Sequence, residues 1–250
     1  FISKDKKICI YGDYDVDGIT SVSVLYQFLK NFTNNVGYFI PNRFSQGYGV
    51  NDAAIDNIHS QNYDLIITVD TGISAVKEVE YANKLGIAVI ITDHHECQEF
   101  LPNAIAVVNP KRKDNVYPFS KLAGVGVVYK LICALDEFFD TNYSDDYIDL
   151  VSIGTIADIM PLLDENRYIV KKGIEKISKN PNRGLKCLID ICSVGNNITS
   201  GSIGYAISPR INAAGRLDNA EIAVKLKETG AVKLPFLFRV YTQLEGYDSQ

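Results

Sequence analysis

A chain of 250 residues that is 46% hydrophobic and 22% charged can bury a sizeable core and lacks the compositional bias of disordered or fibrous sequences. It contains no apolar run of membrane-spanning length and no basic-then-apolar leader with a small-residue cleavage site. A formal net charge of −5 argues against a broadly basic nucleic-acid binder, although bound cations would offset acidic residues gathered at a metal site. The five cysteines (Cys9, Cys97, Cys133, Cys187, Cys192) are odd in number and form no C-x-x-C pair, which suits a reducing cytoplasm better than a disulfide framework or a structural zinc. The chain starts at Phe1 and enters a strand almost at once, so it reads as a fragment of a longer protein.

In chain order, short β-rich runs alternate with amphipathic ones. Strands are expected at 7–11, 36–40, 64–69, 87–92 and 105–108. Helices are expected at 19–30, 51–60 and 74–85 and, after a loop at 109–119, at 121–139. The runs at 64–69 and 87–92 are almost continuously apolar, as strands covered on both faces should be. The alternation predicts an α/β fold: a parallel sheet with flanking helices over about 1–120, followed by a mostly helical segment. Further helices are expected at 146–158, 166–179 and 183–192, with Asn180-Pro181-Asn182 separating the last two. Residues 193–204 read as a polar loop, Ser208–Arg216 follows, and another helix starts near Asp218.

The chemistry collects where strands end. Asp13, Asp15 and Asp17 follow the first strand, Asp70 the third, and Asp93-His94-His95 the fourth. Ligands bind beyond the carboxyl ends of a parallel sheet, so Asp13, Asp70 and Asp93 should meet at one edge. D-x-D-x-D-G also opens a calcium-binding EF-hand loop, but position twelve would be Val24 rather than Glu, and a strand precedes the motif where a helix is needed. Other readings stay open: a solvated turn capping the helix near Ile19, and Asp70 as the cap of a helix near Ser74. His59 reads as a surface residue, and the run from Lys171 to Lys186 as a solvated face rather than a DNA track. Asp158 stands alone in the apolar Gly154–Leu162 stretch and needs a partner, either a cation or a helix-end hydrogen bond. Together these residues would supply about five or six oxygen and nitrogen ligands, enough for two cations roughly 4 Å apart that lower the pKa of water and brace a phosphoryl oxygen. Carboxylate with imidazole suits Mn²⁺ or Mg²⁺ better than thiolate-bound zinc.

Asp15-Val16-Asp17-Gly18, Val69-Asp70, Asp93-His94-His95 and Ala157-Asp158 resemble, in order, the four metal-site motifs of the DHH phosphoesterase family. The stretches Pro41–Gly49 and Pro209–Arg216 narrow the resemblance to its branch of single-strand-specific exonucleases, over about residues 7–226. The resemblance implies two Mn²⁺ or Mg²⁺ ions held by Asp15, Asp17, Asp70, His94 and Asp158, with Asp13 beside them in the catalytic site as a further ligand or as a supporting group. It implies that His95 contacts the scissile phosphate; Arg43, Arg210 and Arg216 are candidates for binding substrate phosphates, because guanidinium groups grip phosphate bidentately, against the alternative of a plain surface role. It further implies 5′-to-3′ removal of 5′-mononucleotides from single-stranded DNA in repair and recombination, with a single-strand-binding protein and a helicase as partners. The expected organisation is a catalytic domain over 1–226 and an atypical tail over 227–250, without the family's second domain. Gly230 and Pro235 interrupt the linker helix that the family carries there. Two rival functions are a DHH phosphoesterase acting on small nucleotides or oligoribonucleotides, and an inactive scaffold at the replication fork. Tyr11 stands where many small-substrate relatives, the pyrophosphatase among them, have His, and an inactive scaffold would have lost ligands that are all present here.

Overall fold

The computed structural model of the chain describes residues 1–41, 49–181, 183–195 and 197–216. Five strands, β1 (Ile8–Tyr11), β2 (Val36–Phe39), β3 (Leu65–Val69), β4 (Ala88–Thr92) and β5 (Ala106–Val108), form one sheet in the order β2-β1-β3-β4-β5. All its pairings are parallel: Tyr11 lies opposite Phe39 and Thr68, and Thr92 lies opposite Val69 and Val108. The strands therefore end along one edge. Strand order reverses between β1 and β3, which opens a crevice between the segments that follow them.

Alternation along the strands feeds two cores. Ile8, Ile10, Leu65, Ile67 and Val69 enter one, beneath α1 (Val16–Lys30), α4 (Gly124–Phe139) and α5 (Ile148–Ala157). Cys9, Tyr11, Ile66, Val89 and Ile91 enter the other, beneath α2 (Asp52–Ser60) and α3 (Val76–Lys84). With both faces covered, alternation disappears from the sequence and the strands read as unbroken apolar runs. Helix α5 is buried from Ile148 to Thr155 because α1, α4 and α6 (Asp164–Lys179) surround it.

The helical half departs from expectation in one place. Helix α7 (Arg183–Ile191) ends as anticipated, but the polar stretch at 193–204 turns helical from Ser200. A turn at Ser200–Ser202 runs through a π-helical turn, Ile203–Ile207, into α8 (Ser208–Arg216). The Thr199 hydroxyl accepts the Ser202 N–H, and the Ser202 hydroxyl accepts the Thr199 N–H. This reciprocal cap has Ser where Glu or Gln usually signals it, so composition alone conceals it. The helix expected near Asp218 and the tail at 227–250 lie outside the described residues. Of the run from Lys171 to Lys186, Lys171, Lys172, Lys179 and Lys186 are exposed, Lys176 is half-buried with its Nζ donating to the Asp145 carbonyl at 2.8 Å, and the Arg183 side chain lies outside the described residues.

Asp136, buried in the last turn of α4, joins that helix to the next. Its carboxylate accepts the Thr141 hydroxyl at 2.7 Å and the N–H groups of Tyr143 and Ser144 at 3.1 and 2.7 Å. Burial pushes its pKa up, yet these bonds outweigh burial and the net shift is downward. A depressed folded-state pKa means that the stabilisation is complete above the unfolded value and is lost as pH falls through the folded one. Asp136→Ala should therefore cost about 2–3 kcal/mol in urea unfolding at pH 7, and much less than that near pH 2.

Candidate metal centre

Each expected ligand is fixed by its local backbone. Helix α1 begins at Val16, earlier than periodicity predicts, because the Asp15 carboxylate caps it by accepting the Gly18 N–H at 2.9 Å. Asp17 thereby falls in the first turn, directed inward. A Cβ on Gly18 would lie 2.5 Å from the Asp13 carbonyl oxygen, which accounts for glycine in this tight turn. Asp70 follows β3 with φ of 59°, left-handed backbone that Asp and Asn tolerate better than bulkier residues. It does not cap α3, which starts only at Val76 without a side-chain cap. Asp158 ends α5, and its Oδ2 has no helix-end hydrogen bond.

His94 collects these carboxylates. Its Nε2 lies 3.1 Å from Asp70 Oδ1, 3.7 Å from Asp158 Oδ2 and 3.8 Å from Asp17 Oδ2. Donor atoms of Asp17, His94 and Asp158 fall within 4.8 Å of one another, as do those of Asp70, His94 and His95. Asp13 and Asp15 are not in either group, although the charge of Asp15 acts on Asp17, Asp70 and Asp158 and that of Asp13 acts on Asp70. Asp15 thus fulfils the helix-cap reading while standing beside the cluster. His95 is 46% exposed and holds Asp93 Oδ1 through Nδ1 at 2.8 Å. Asp93 is buried and also accepts the N–H groups of Ile73, His94 and His95.

Burial and crowding set the electrostatics. Asp17 and Asp70 are held well above the usual carboxylate range, first by desolvation and then by neighbouring aspartates, among which Asp158 acts on Asp17 and Asp17 on Asp70. Asp158 is pushed up to about 6 by burial and then by Asp15. Burial lowers His94 to about 4, leaving the neutral imidazole that metal coordination needs. The hydrogen bond to Asp93 raises His95. Asp70 Oδ1 and Asp158 Oδ2 are buried and accept no hydrogen bond. Unsatisfied acceptors converging with an imidazole nitrogen suit a hard divalent cation, and the oxygen–nitrogen donor set fits Mn²⁺ or Mg²⁺.

Three supports were not foreseen from sequence. The N–H groups of Gly124 and Val125, at the start of α4, donate to Asp17 at 2.6 and 2.9 Å. A Cβ on Gly124 would overlap the Asp70 carboxylate, lying 2.6 Å from its Cβ and 2.7 Å from its Cγ. Asn212 Oδ1 accepts the Val16 N–H at 3.1 Å, which brings the Pro209–Arg216 stretch to the aspartate motif. Glycine at a helix start was the one visible signal. Of the expected phosphate-binding arginines, Arg210 donates through Nη1 to the Ala206 carbonyl at 2.7 Å. Arg43 and the Arg216 side chain lie outside the described residues.

Two substitutions separate charge from shape. Asp70→Asn keeps the left-handed backbone and removes a buried charge, so the metal-free chain should melt about 2–4 °C higher, roughly 1 kcal/mol. The same variant should lose most of the melting-temperature rise that Mn²⁺ gives the unsubstituted chain, as differential scanning calorimetry would register. Gly124→Ala should displace the Asp70 carboxylate and weaken Mn²⁺ binding about tenfold in a calorimetric titration, with a stability cost of about 1–3 kcal/mol.

Comparison with known proteins agrees with this geometry. The single-stranded-DNA-specific exonuclease RecJ of Bacillus subtilis is 46% identical over 228 residues, covering 90% of this chain and 28% of RecJ. The Escherichia coli exonuclease of the same name is 38% identical, covering 88% of this chain and 41% of its own length. This chain therefore spans less than half of either relative. A crystal structure of exonuclease RecJ bound to manganese matches with a TM-score of 0.87 at 33% identity, covering 98% of this chain and 63% of that one. The Thermus thermophilus RecJ in complex with Mn²⁺ matches with a TM-score of 0.83 at 31% identity, covering 98% of this chain and 36% of that one. The family model described as the DHH family, N-terminal domain, matches residues 7–155, more than half of the chain, and the chain belongs to the DHH family.

Proposed function

We propose that this chain is the catalytic part of a RecJ-type exonuclease that hydrolyses single-stranded DNA from its 5′ end, releasing 5′-mononucleotides in repair and recombination. One observation carries the reading: Asp17, Asp70 and Asp158 converge on His94 Nε2, where Asp70 Oδ1 and Asp158 Oδ2 accept no hydrogen bond, in a DHH-family chain similar to RecJ exonucleases. Asp15, Asp17, Asp70, His94 and Asp158 would hold two divalent ions, Mn²⁺ or Mg²⁺, with Asp13 beside them. When bound, the ions supply Lewis acidity at phosphoryl oxygens and a more acidic water.

The chain's own groups orient and stabilise. Asp93 holds Nδ1 of His95, so Nε2 is the nitrogen presented to the scissile phosphate, where it stabilises charge on the departing oxygen. Arg43, Arg210 and Arg216 grip substrate phosphates through planar guanidinium groups. Tyr11 supports the polynucleotide reading over a small-substrate one. Where many small-substrate relatives have His, its ring is buried in the α2–α3 core and its hydroxyl bonds the Gly49 carbonyl at 2.9 Å. A single-strand-binding protein and a helicase, which guard and generate such strands, are the partners that this function implies.

The test is release of the label from 5′-labelled single-stranded DNA in Mn²⁺. The unsubstituted chain should remove it, and Asp70→Ala should be slower by about 100-fold or more, the scale of losing roughly 3 kcal/mol of transition-state stabilisation. Equal rates for the two proteins, or no release by either, would overturn the assignment of this chain as an active nuclease.

A further inference from the structure

The β4–β5 pairing places the Lys111 backbone beside that of His95. Thr92 lies opposite Val108, so Asp93-His94-His95 and Asn109-Pro110-Lys111 leave the sheet side by side. Buried Asn109 locks the two segments together: its Nδ2 donates to the His95 carbonyl at 2.9 Å, and its Oδ1 accepts the Lys111 N–H at 2.8 Å. Lys111 is thus seated on a backbone tied to the candidate centre. Its side chain is only 25% exposed, and its Nζ meets Glu96 Oε1 at 3.0 Å, whereas the Glu96 side chain is 85% exposed. After burial, the Lys111 charge is among those acting on both His94 and Asp158.

Lys111, Arg112, Lys121, Ser120, Pro110 and Glu96 wall an open cleft of about 550 Å³. Arg112 is committed elsewhere, to the Asp114 carboxylate and the Val107 carbonyl. Lys121 is exposed, and its carbonyl is held by Asn166 Nδ2 at 2.6 Å. It stands just ahead of Gly124, whose N–H binds Asp17. Two ammonium groups on anchored backbone therefore share one cleft, the charge of Lys111 reaching His94 and Asp158 of the acidic cluster, with a solvated carboxylate paired to Lys111. An exposed ion pair of this kind costs little to exchange for another anion.

We propose that Lys111 and Lys121 hold a phosphodiester of the polynucleotide next to the one being cleaved, displacing Glu96 from Lys111. The proposal rests on the exonuclease reading, because a substrate with a single phosphodiester has no neighbouring phosphate to offer. It explains how an anionic strand approaches a site crowded with carboxylates: the charge that attracts it sits beside the ligands rather than among them.

The experiment compares the full chain with Lys111→Met/Lys121→Met, which keeps most of the apolar stems, and with Glu96→Gln. Binding of a fluorescent oligodeoxynucleotide is followed by anisotropy against salt, with calcium replacing manganese. In parallel, kcat/KM is measured with Mn²⁺ on the oligonucleotide and on the p-nitrophenyl ester of thymidine 5′-monophosphate. The double variant should bind the oligonucleotide about tenfold more weakly, with a log–log salt slope shallower by about 0.7, the value for one phosphate on a single strand. Glu96→Gln should bind it about threefold more tightly, and the double variant should lose far less kcat/KM on the ester than on the oligonucleotide. Unchanged affinity and slope in the double variant, or an equal loss on ester and oligonucleotide, would overturn the proposal alone. If the unsubstituted chain neither binds nor cleaves the oligonucleotide, the exonuclease reading fails and this proposal fails with it.

Discussion

Negative charge gathered in a buried place is the constraint around which this chain is built. Asp13, Asp17, Asp70 and Asp93 are each no more than 2% exposed, and Asp15 and Asp158 stand beside them. Carboxylates at that density repel one another and resist desolvation. The fold answers with backbone N–H groups: Gly18 for Asp15, Gly124 and Val125 for Asp17, and Ile73, His94 and His95 for Asp93. Helix N-termini serve well here because they carry unpaired donors and a partial positive charge. The oxygens left without such donors, Asp70 Oδ1 and Asp158 Oδ2, lie near His94 Nε2. Backbone satisfaction elsewhere in the cluster thus defines where a cation fits.

Sheet topology and chemistry are inseparable in this arrangement. Parallel pairing in register makes β1, β3 and β4 end together, so acidic residues far apart in sequence converge without any long loop. Among the described residues, the helical half brings one carboxylate, Asp158, and two backbone donors to the cluster, but only because α5 and α4 pack closely on α1. Glycine at 124 is the point where that packing meets the Asp70 carboxylate, and any larger residue there would be felt first in ligand position.

Most of the sheet, and the convergence of Asp17, Asp70 and Asp158 on His94, were legible because the informative residues are local. An apolar run followed at once by Asp, or by Asp-His-His, carries both the strand and the chemistry within a few positions. Asp15 shows the limit of that reading, since sequence offers cap and cluster member as alternatives, whereas the side chain caps α1 while its charge acts on the cluster. Contacts across the chain were not legible: Asn212 reaching Val16, and Asn109 tying Lys111 to His95, depend on packing that no period or motif encodes. The misread stretch at 193–204 had a different cause, a Thr199–Ser202 cap written in residues that also favour loops.

The bond between Asp17 and the start of α4 spans 107 positions of sequence. The first acidic motif is therefore unfinished until a helix made much later has docked on it. During synthesis or refolding, a segment ending before Gly124 can bury the Asp17 carboxylate only by stripping its water without supplying these backbone donors. That penalty favours keeping the first turn of α1 hydrated until α4 arrives. Its completion requires α4 to dock, and that contact joins the β/α half to the helical half. Competence of the site and closure of the tertiary structure are, in that sense, a single step.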